Sequence, residues 1–413
     1  MAGVAWYSAD SLRHRREEGH GYELAGQVSV SDPAFMRAAE ALTAAPIALG
    51  NRVELLVNGD AIFPRYLETI AGAQRSLNIT TYAYWKGQIA TDVAEALIER
   101  AGAGVEVNLL IDALGGAKMD RSLLGTMEDA GVTVHRFRPL KPYAVRRLEN
   151  RTHRKLLIAD GRVGMTGGVG IAEEWTGDAQ DPDHWRDTHV RVEGPVVRGL
   201  QGAFAENWIE ATGRVLGGED YLPDVEPFAD GVPMQVTRSS AGVGDTNAEA
   251  LTYLAIAAAD RSLDLTSAYF VPRPAFLKAL VDAAGRGVRL RILVPGSHID
   301  KGIVRTAGRS VYDDLLEAGA QIYEYGPTML HAKTLTVDGA WACVGSVNFD
   351  NRSFQLHDEA SLSVQDERFA GALTEQFERD IADSERITPE AWAERGVRRR
   401  AGEAVSRLAR REL

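Results

Sequence analysis

The chain has 413 residues, 45% of them hydrophobic and 25% charged, a soluble globular composition too long for one ordinary core. Its net charge of −12 speaks against a general nucleic-acid binder, whose surface is normally basic. The single cysteine, Cys343, excludes an intrachain disulfide, and no apolar run reaches the roughly 18 residues a membrane span needs.

In chain order, residues 1–46 form an N-terminal arm with no apolar segment of signal-peptide type, so a cytoplasmic location is expected. Ile89, Val93, Leu97 and Ala101 recur at i+4 and predict an amphipathic helix before the strand VEVNLLI. A helix around 121–130 leads through Gly131 into the strand GVTVHRF. The stretch THRKLLIADGRVGMTGG follows from Thr152. A Gly-, Pro- and acid-rich stretch at 217–233 marks a junction, giving domains 47–228 and 229–388. Beyond it, Ala250, Leu254 and Ala258 predict a helix before SLDLTSAYF, and a helix around 309–318 precedes the strand GAQIYEY. Then LHAKTLTVDGAWACVGS repeats the earlier stretch, with His153 and His331 178 residues apart. Residues 389–413 form a basic tail. Val397, Ala401, Ala404, Val405 and Leu408 make an apolar stripe there, suited to an anionic membrane surface or to packing on the body.

The repeat extends beyond the motif: AQRSLNITTYAYW is answered by ADRSLDLTSAYFV, and GAGVEVNLLID by GRGVRLRILVP. A period this long denotes duplicated domains, and alternating strands and helices predict an α/β sandwich in each. Within the motif, His153 and Lys155, like His331 and Lys333, are two apart and share one face of a strand. Asp160-Gly161 and Asp338-Gly339 predict two-residue hairpin turns, which make both aspartates turn residues. A two-residue loop sets His153 opposite Gly168 and His331 opposite Ser346, so small residues leave room for substrate beside each histidine, and Gly170 widens the first half further. Asn348, on the face of Ser346, can donate an amide hydrogen bond.

Two imidazoles and two ammoniums converging between domains suit a phosphodiester. The lysines neutralise non-bridging oxygens, one histidine attacks phosphorus and the other protonates the leaving oxygen. A neutral imidazole nucleophile needs its second nitrogen held by an acceptor, for which Asp187 and Glu359 are candidates beside ordinary strand carboxylates. Neither HExxH nor paired CxxC spacing occurs, and no metal ligand set is seen.

The doubled His-x-Lys-x4-Asp with its following Gly-Gly or Gly-Ser and Asn348 resembles the phospholipase D superfamily over residues 50–390. RTHRKLLIADGRVGMTGG, WRDTHVRVEGPVV and MLHAKTLTVDGAWACVGSVNFDNRSF are most similar to bacterial cardiolipin synthases. The resemblance implies two α/β halves about a pseudo-two-fold axis, with the active site between them. It implies a phosphohistidine intermediate and no metal or other cofactor. His153 and His331 become the nucleophile and acid pair, with His153 favoured as nucleophile; Lys155 and Lys333 bind phosphate, helped by Gly168, Ser346 and Asn348. Asp160 and Asp338 are carried into the catalytic motif, although their spacing reads as structural. Three features depart from the pattern: Gly170 and His357 stand where the family commonly has Asn, and the N-terminal membrane helices of many relatives are missing. The expected function is phosphatidyl transfer between glycerophospholipids, phosphatidylglycerol foremost, by a peripheral protein at an anionic membrane. Hydrolysis to phosphatidic acid, a nucleic-acid phosphodiesterase and an inactive scaffold are the alternatives.

Overall fold

A computed structural model describes residues 23–26, 28–139, 149–240 and 245–394. The apolar stripe of the basic tail, from Val397 onward, therefore lies outside the described residues. The first half contributes β1 (Ile47–Val57), β2 (Ser76–Thr81), β3 (Glu106–Asp112), β4 (Thr133–Phe137), β5 (Arg151–Thr152), β6 (Leu156–Ala159), β7 (Val163–Gly167) and β8 (Thr188–Glu193). The second contributes β9 (Val232–Ser239), β10 (Ser262–Ser267), β11 (Arg289–Pro295), β12 (Gln321–Tyr325), β13 (Lys333–Val337), β14 (Trp341–Gly345), β15 (His357–Gln365) and β16 (Ser384–Ile387).

These strands form one sheet, ordered β16-β12-β11-β10-β13-β14-β15-β9-β1-β8-β7-β6-β2-β3-β4, with β5 paired onto β15. Outward from the central β9–β1 pair, β15-β14-β13-β10-β11-β12 mirrors β8-β7-β6-β2-β3-β4. The duplication read in the sequence is thus a duplication of topology. In each half three successive strands, β2-β3-β4 and β10-β11-β12, are parallel, which requires crossovers, and helices such as Gln88–Gly102 and Pro274–Gly285 supply them; β16 adds antiparallel to β12 at the edge of the second half. Ile89, Val93 and Leu97 face the sheet from the first of these helices, as their spacing predicts.

Each half has its own apolar core, and a third core is shared. Leu156, Ile158, Val190 and Val192 from the first half meet Ala342, Val344, Ala360 and Leu362 from the second. Burial of this common face holds the repeats together. The N-terminal arm also joins the second half: Phe35, in the helix Pro33–Thr43, is buried and packs edge-on against Trp341 at 5.7 Å.

Two local expectations change. The helix expected at 309–318 is two helices, Gly302–Arg309 and Tyr312–Glu317. Gly308 lies against the backbone of Phe270, where a Cβ would come within 2.4 Å of the carbonyl oxygen, and the Ser310 hydroxyl bonds the Ala307 carbonyl at the break. The hairpin turns form at Asp160-Gly161 and Asp338-Gly339, all four residues being left-handed. However, Ala159 pairs with Val163 and Val337 with Trp341, so each loop is three residues long, with Arg162 and Ala340 as the extra residue, and not two as expected. That extra residue shifts the register by one, and the expected pairing across each hairpin is lost.

Candidate active site

The segment before each histidine crosses to the other half. Arg151 and Thr152 run parallel to His357 and Asp358 of β15, and the His153 N–H donates to the Asp358 carbonyl at 2.9 Å. Symmetrically, Leu330 bridges Arg186 just before β8, and the His331 N–H donates to the Arg186 carbonyl at 2.7 Å. Buried polar groups brace both crossings. Asn207 accepts from the Thr152 hydroxyl and donates to Asp358, while Arg186 makes a two-pronged ion pair with Asp380 at 2.9 Å. Arg154, between the motif residues His153 and Lys155, is fully buried and donates to the Glu359 and Ser239 carbonyls.

Each histidine consequently meets the other half's carboxylate. His153 Nδ1 lies 3.0 and 3.1 Å from the two oxygens of Glu359, and 3.1 Å from the Ser346 carbonyl oxygen. His331 Nδ1 lies 2.7 Å from Asp187 Oδ2. All four groups are buried. Lys155 Nζ donates to the His153 carbonyl at 2.8 Å, and Lys333 Nζ sits 2.9 Å from the His331 ring. The structure therefore gathers His153, Lys155, His331, Lys333, Asp187 and Glu359 at one seam.

Burial sets the charge states. It pushes His153 down to about 3 against the opposing pull of Glu359, and His331 down to about 4, with Lys333 adding to the fall. Burial thus favours the neutral form of both imidazoles. Burial also lowers Lys155 to about 7, the neighbouring Lys333 ammonium adding to the effect, and Lys333 to about 8. For Glu359 and Asp187 burial works upward. The adjacent His153 and His331 respectively outweigh it and hold both carboxyls below their ordinary range.

The small residues do something other than leave room. A Cβ on Gly168 would fall 2.1 Å from Asp187 Oδ1, and one on Gly345 would fall 2.3 Å from the Ser361 hydroxyl. One on Gly170 would meet Ala83 at 2.9 Å and the Trp175 ring at 3.1 Å. Glycine here lets the orienting carboxylate and the neighbouring backbone come close. Ser346 donates its hydroxyl to Glu359, bracing the carboxylate that faces His153. Asn348 is buried beside Lys333, with its amide oxygen unpartnered. Asp160 and Asp338 occupy the turns. Asp160 accepts from the backbone N–H groups of Gln74, Arg75 and Ser76, and Asp338 from those of Asp260, Arg261 and Ser262. Each ties its hairpin to the start of β2 or β10, as the turn reading predicts, while the resemblance had carried both into the catalytic set.

Further residues complete the site. The Trp175 indole N–H donates to Asp187 at 2.9 Å and its ring stands edge-on to His331 at 5.2 Å; Trp185 covers the same imidazole at 5.5 Å. Tyr82 stands edge-on to His153 at 5.4 Å. Trp175 thus positions site groups, where sequence offered only a cleft or core aromatic. His357 lies 5.6 Å from His153, ring to ring. Among the described residues, His153, His357 and Glu359 form the one group whose ligand atoms fall within 4.8 Å of one another and so could hold a metal.

A family profile described as "Cardiolipin synthase, PLD-like domain" matches residues 66–185 and 254–381. The cardiolipin synthase of Geobacillus sp. (strain WCH70) is 34% identical over 379 residues, covering 91% of this chain and 75% of its own. Cardiolipin synthase A of Pseudomonas fluorescens is 34% identical over 376 residues, covering 91% and 78%. The crystal structure of phosphatidylserine synthase from Haemophilus influenzae superposes with a TM-score of 0.68 at 14% identity, over 92% of this chain and 100% of that one, a likeness of fold. Duplicated α/β halves in one sheet, with a His–Lys pair from each at the seam, define a phospholipase D-like protein. The sequence matches narrow this further, and the chain belongs to the cardiolipin synthase, phospholipase D-like family.

Proposed function

We propose that the protein is a phosphatidyltransferase of the cardiolipin-synthase type, with domains 47–228 and 229–388 each supplying one His–Lys pair. The observation that carries this reading is the crossed pairing of two buried imidazoles with the other half's buried carboxylates, each beside a lysine. Its proposed substrate is phosphatidylglycerol at the cytoplasmic face of an anionic membrane; the relatives' names support that class.

With the Nδ1–H of His153 donated to Glu359, its Nε2 carries the lone pair. That nitrogen attacks phosphorus, and the bond to the leaving glycerol oxygen breaks as His331 delivers a proton to it. Lys155 and Lys333 hold the non-bridging oxygens, whose charge rises in the transition state. An anionic phosphodiester between the groups raises both imidazole pKa values from their unliganded positions, which lets His331 carry that proton. His331 then takes the proton from the hydroxyl of a second phosphatidylglycerol. The hydroxyl oxygen bonds to phosphorus, the P–N bond breaks, and cardiolipin leaves with His153 restored.

The test uses vesicles with phosphatidylglycerol as sole lipid. Cardiolipin and free glycerol in excess of phosphatidic acid are expected; phosphatidic acid dominating at every lipid density would make the protein a hydrolase. The lysines add a pH signature. Lys155 and Lys333 lose charge as pH rises through about 7 and about 8, and the acid's proton also becomes scarcer. kcat/KM on a soluble diester should therefore fall steadily from pH 6 to 9, and a rise over that range would contradict the assigned roles.

A further inference from the structure

A cavity lies on the face of the second half's sheet that the helix Asn247–Ala257 covers. Lys333 and Asn348 are among its lining residues, so it adjoins the candidate active site. The rest of its wall is chiefly apolar, with Leu251 from the helix, Leu265 and Trp341 from the sheet, and Phe349 and Phe354 beyond β14. The volume is about 50 Å³, on a scale where one water needs roughly 10–15 Å³. A short run of methylenes fits, and an apolar wall gives ordered water few partners.

Cys343 supports the same picture. It sits in the middle of β14, flanked by buried neighbours, and keeps some accessible surface because its side chain faces the cavity, an enclosed setting in which burial pushes the thiol up to about 11. Val347, also in the wall, keeps accessible surface in the same way. An apolar cavity admits apolar guests. One that shares Lys333 with the site assigned to a phosphate is placed for the apolar part of the same molecule.

We propose that this cavity is the slot for the first methylenes of one fatty acyl chain of the phospholipid whose phosphate lies against Lys333. The inference rests on the proposed phosphatidyl transfer for the position of the phosphate. Occupation of the slot makes the protein selective for acylated diesters over the same headgroup without chains. Each buried methylene contributes roughly fourfold in affinity, so three or four give on the order of a hundredfold.

Cys343 is the only cysteine of the chain, which makes it a native reporter. The full-length protein is treated with an apolar methanethiosulfonate, alone, with monomeric dihexanoyl-phosphatidylglycerol, or with the deacylated diester glycerophosphoglycerol. The acylated lipid is expected to slow modification of Cys343 at least tenfold, and the deacylated one to leave it unchanged. Equal rates in all three arms overturn the slot, whether or not the lipid is turned over. Protection without turnover keeps the slot and sinks the transferase reading, so the two failures are distinguishable. A Cys343→Phe variant, which fills the cavity, should raise KM for dihexanoyl-phosphatidylglycerol on the order of a hundredfold while leaving kcat/KM for a chain-free aryl phosphodiester within twofold. An equal loss on both substrates overturns the proposal. If that variant does not fold, the protection experiment decides alone, since it uses the unaltered chain.

Discussion

Alanine at His153 or at His331 should abolish phosphatidyl transfer, each alone lowering turnover by on the order of 10⁴-fold or more. In the proposed mechanism the two imidazoles are halves of one nucleophile–acid pair, so neither copy of the motif can substitute for the other. Both variants should still fold cooperatively, because the carboxylates left behind keep partners. Glu359 retains the Ser346 hydroxyl, and Asp187 retains the Trp175 indole N–H at 2.9 Å and the Thr188 N–H at 2.7 Å. The crossed pairing adds a sharper expectation. Glu359→Gln acts through His153, so the double variant with His153→Ala should be no slower than His153→Ala alone; Asp187→Asn and His331 should behave likewise. Multiplying losses within either pair would show that the carboxylate acts independently of its imidazole. Acid-quenched His331→Ala enzyme, mapped by peptide, should carry any phosphoryl adduct on His153. Near-wild-type turnover in either alanine variant would sink the shared site.

The largest stability effect is expected at Arg186 and Asp380. The guanidinium and carboxylate are both buried and meet through two bonds of 2.9 Å, with a further bond from Arg186 to the Thr188 hydroxyl at 2.9 Å. Asp380→Ala leaves a buried guanidinium without its counter-charge, a loss of about 3–5 kcal/mol. The backbone of Arg186 also carries the bridge to Leu330 that seats His331, so activity should fall with stability in this variant. Replacing both partners by apolar residues (Arg186→Met with Asp380→Leu) removes the uncompensated charge and should recover much of the loss. Urea denaturation measures both changes. A loss below about 1 kcal/mol in the single variant would mean that water reaches the pair and screens it.

Much of this organisation is legible without coordinates. The i, i+4 spacing of Ile89, Val93 and Leu97 marks a helix face, and that face is buried. Asp160-Gly161 and Asp338-Gly339 require left-handed backbone in a tight turn, and all four residues adopt it. The third loop residue, Arg162 or Ala340, is not legible, because nothing in the pattern of apolar and polar positions marks whether the loop closes on two residues or three. The small pairs are legible as small but not as to why: Gly168 is pressed by Asp187 and Gly345 by Ser361, and neither neighbour is close in sequence. Trp175 reads as an ordinary buried aromatic until its N–H is seen to meet Asp187.

The sequence by itself determined the duplication, the α/β character of each half, and the residue types that carry the chemistry. Those properties are written locally, in spacing along a strand or helix and in motifs repeated 178 residues apart. Only the tertiary structure decided the partnership of the two halves. His153 finds Glu359 across 206 residues and His331 finds Asp187 across 144, because the short segment before each histidine pairs with the far half's strand. Backbone hydrogen bonding between distant segments has no local signature, since any extended stretch can offer its N–H and C=O groups to any other. Which strand receives which histidine is set by the shared core of Leu156, Val190, Val344 and Leu362, whose burial holds the halves in register.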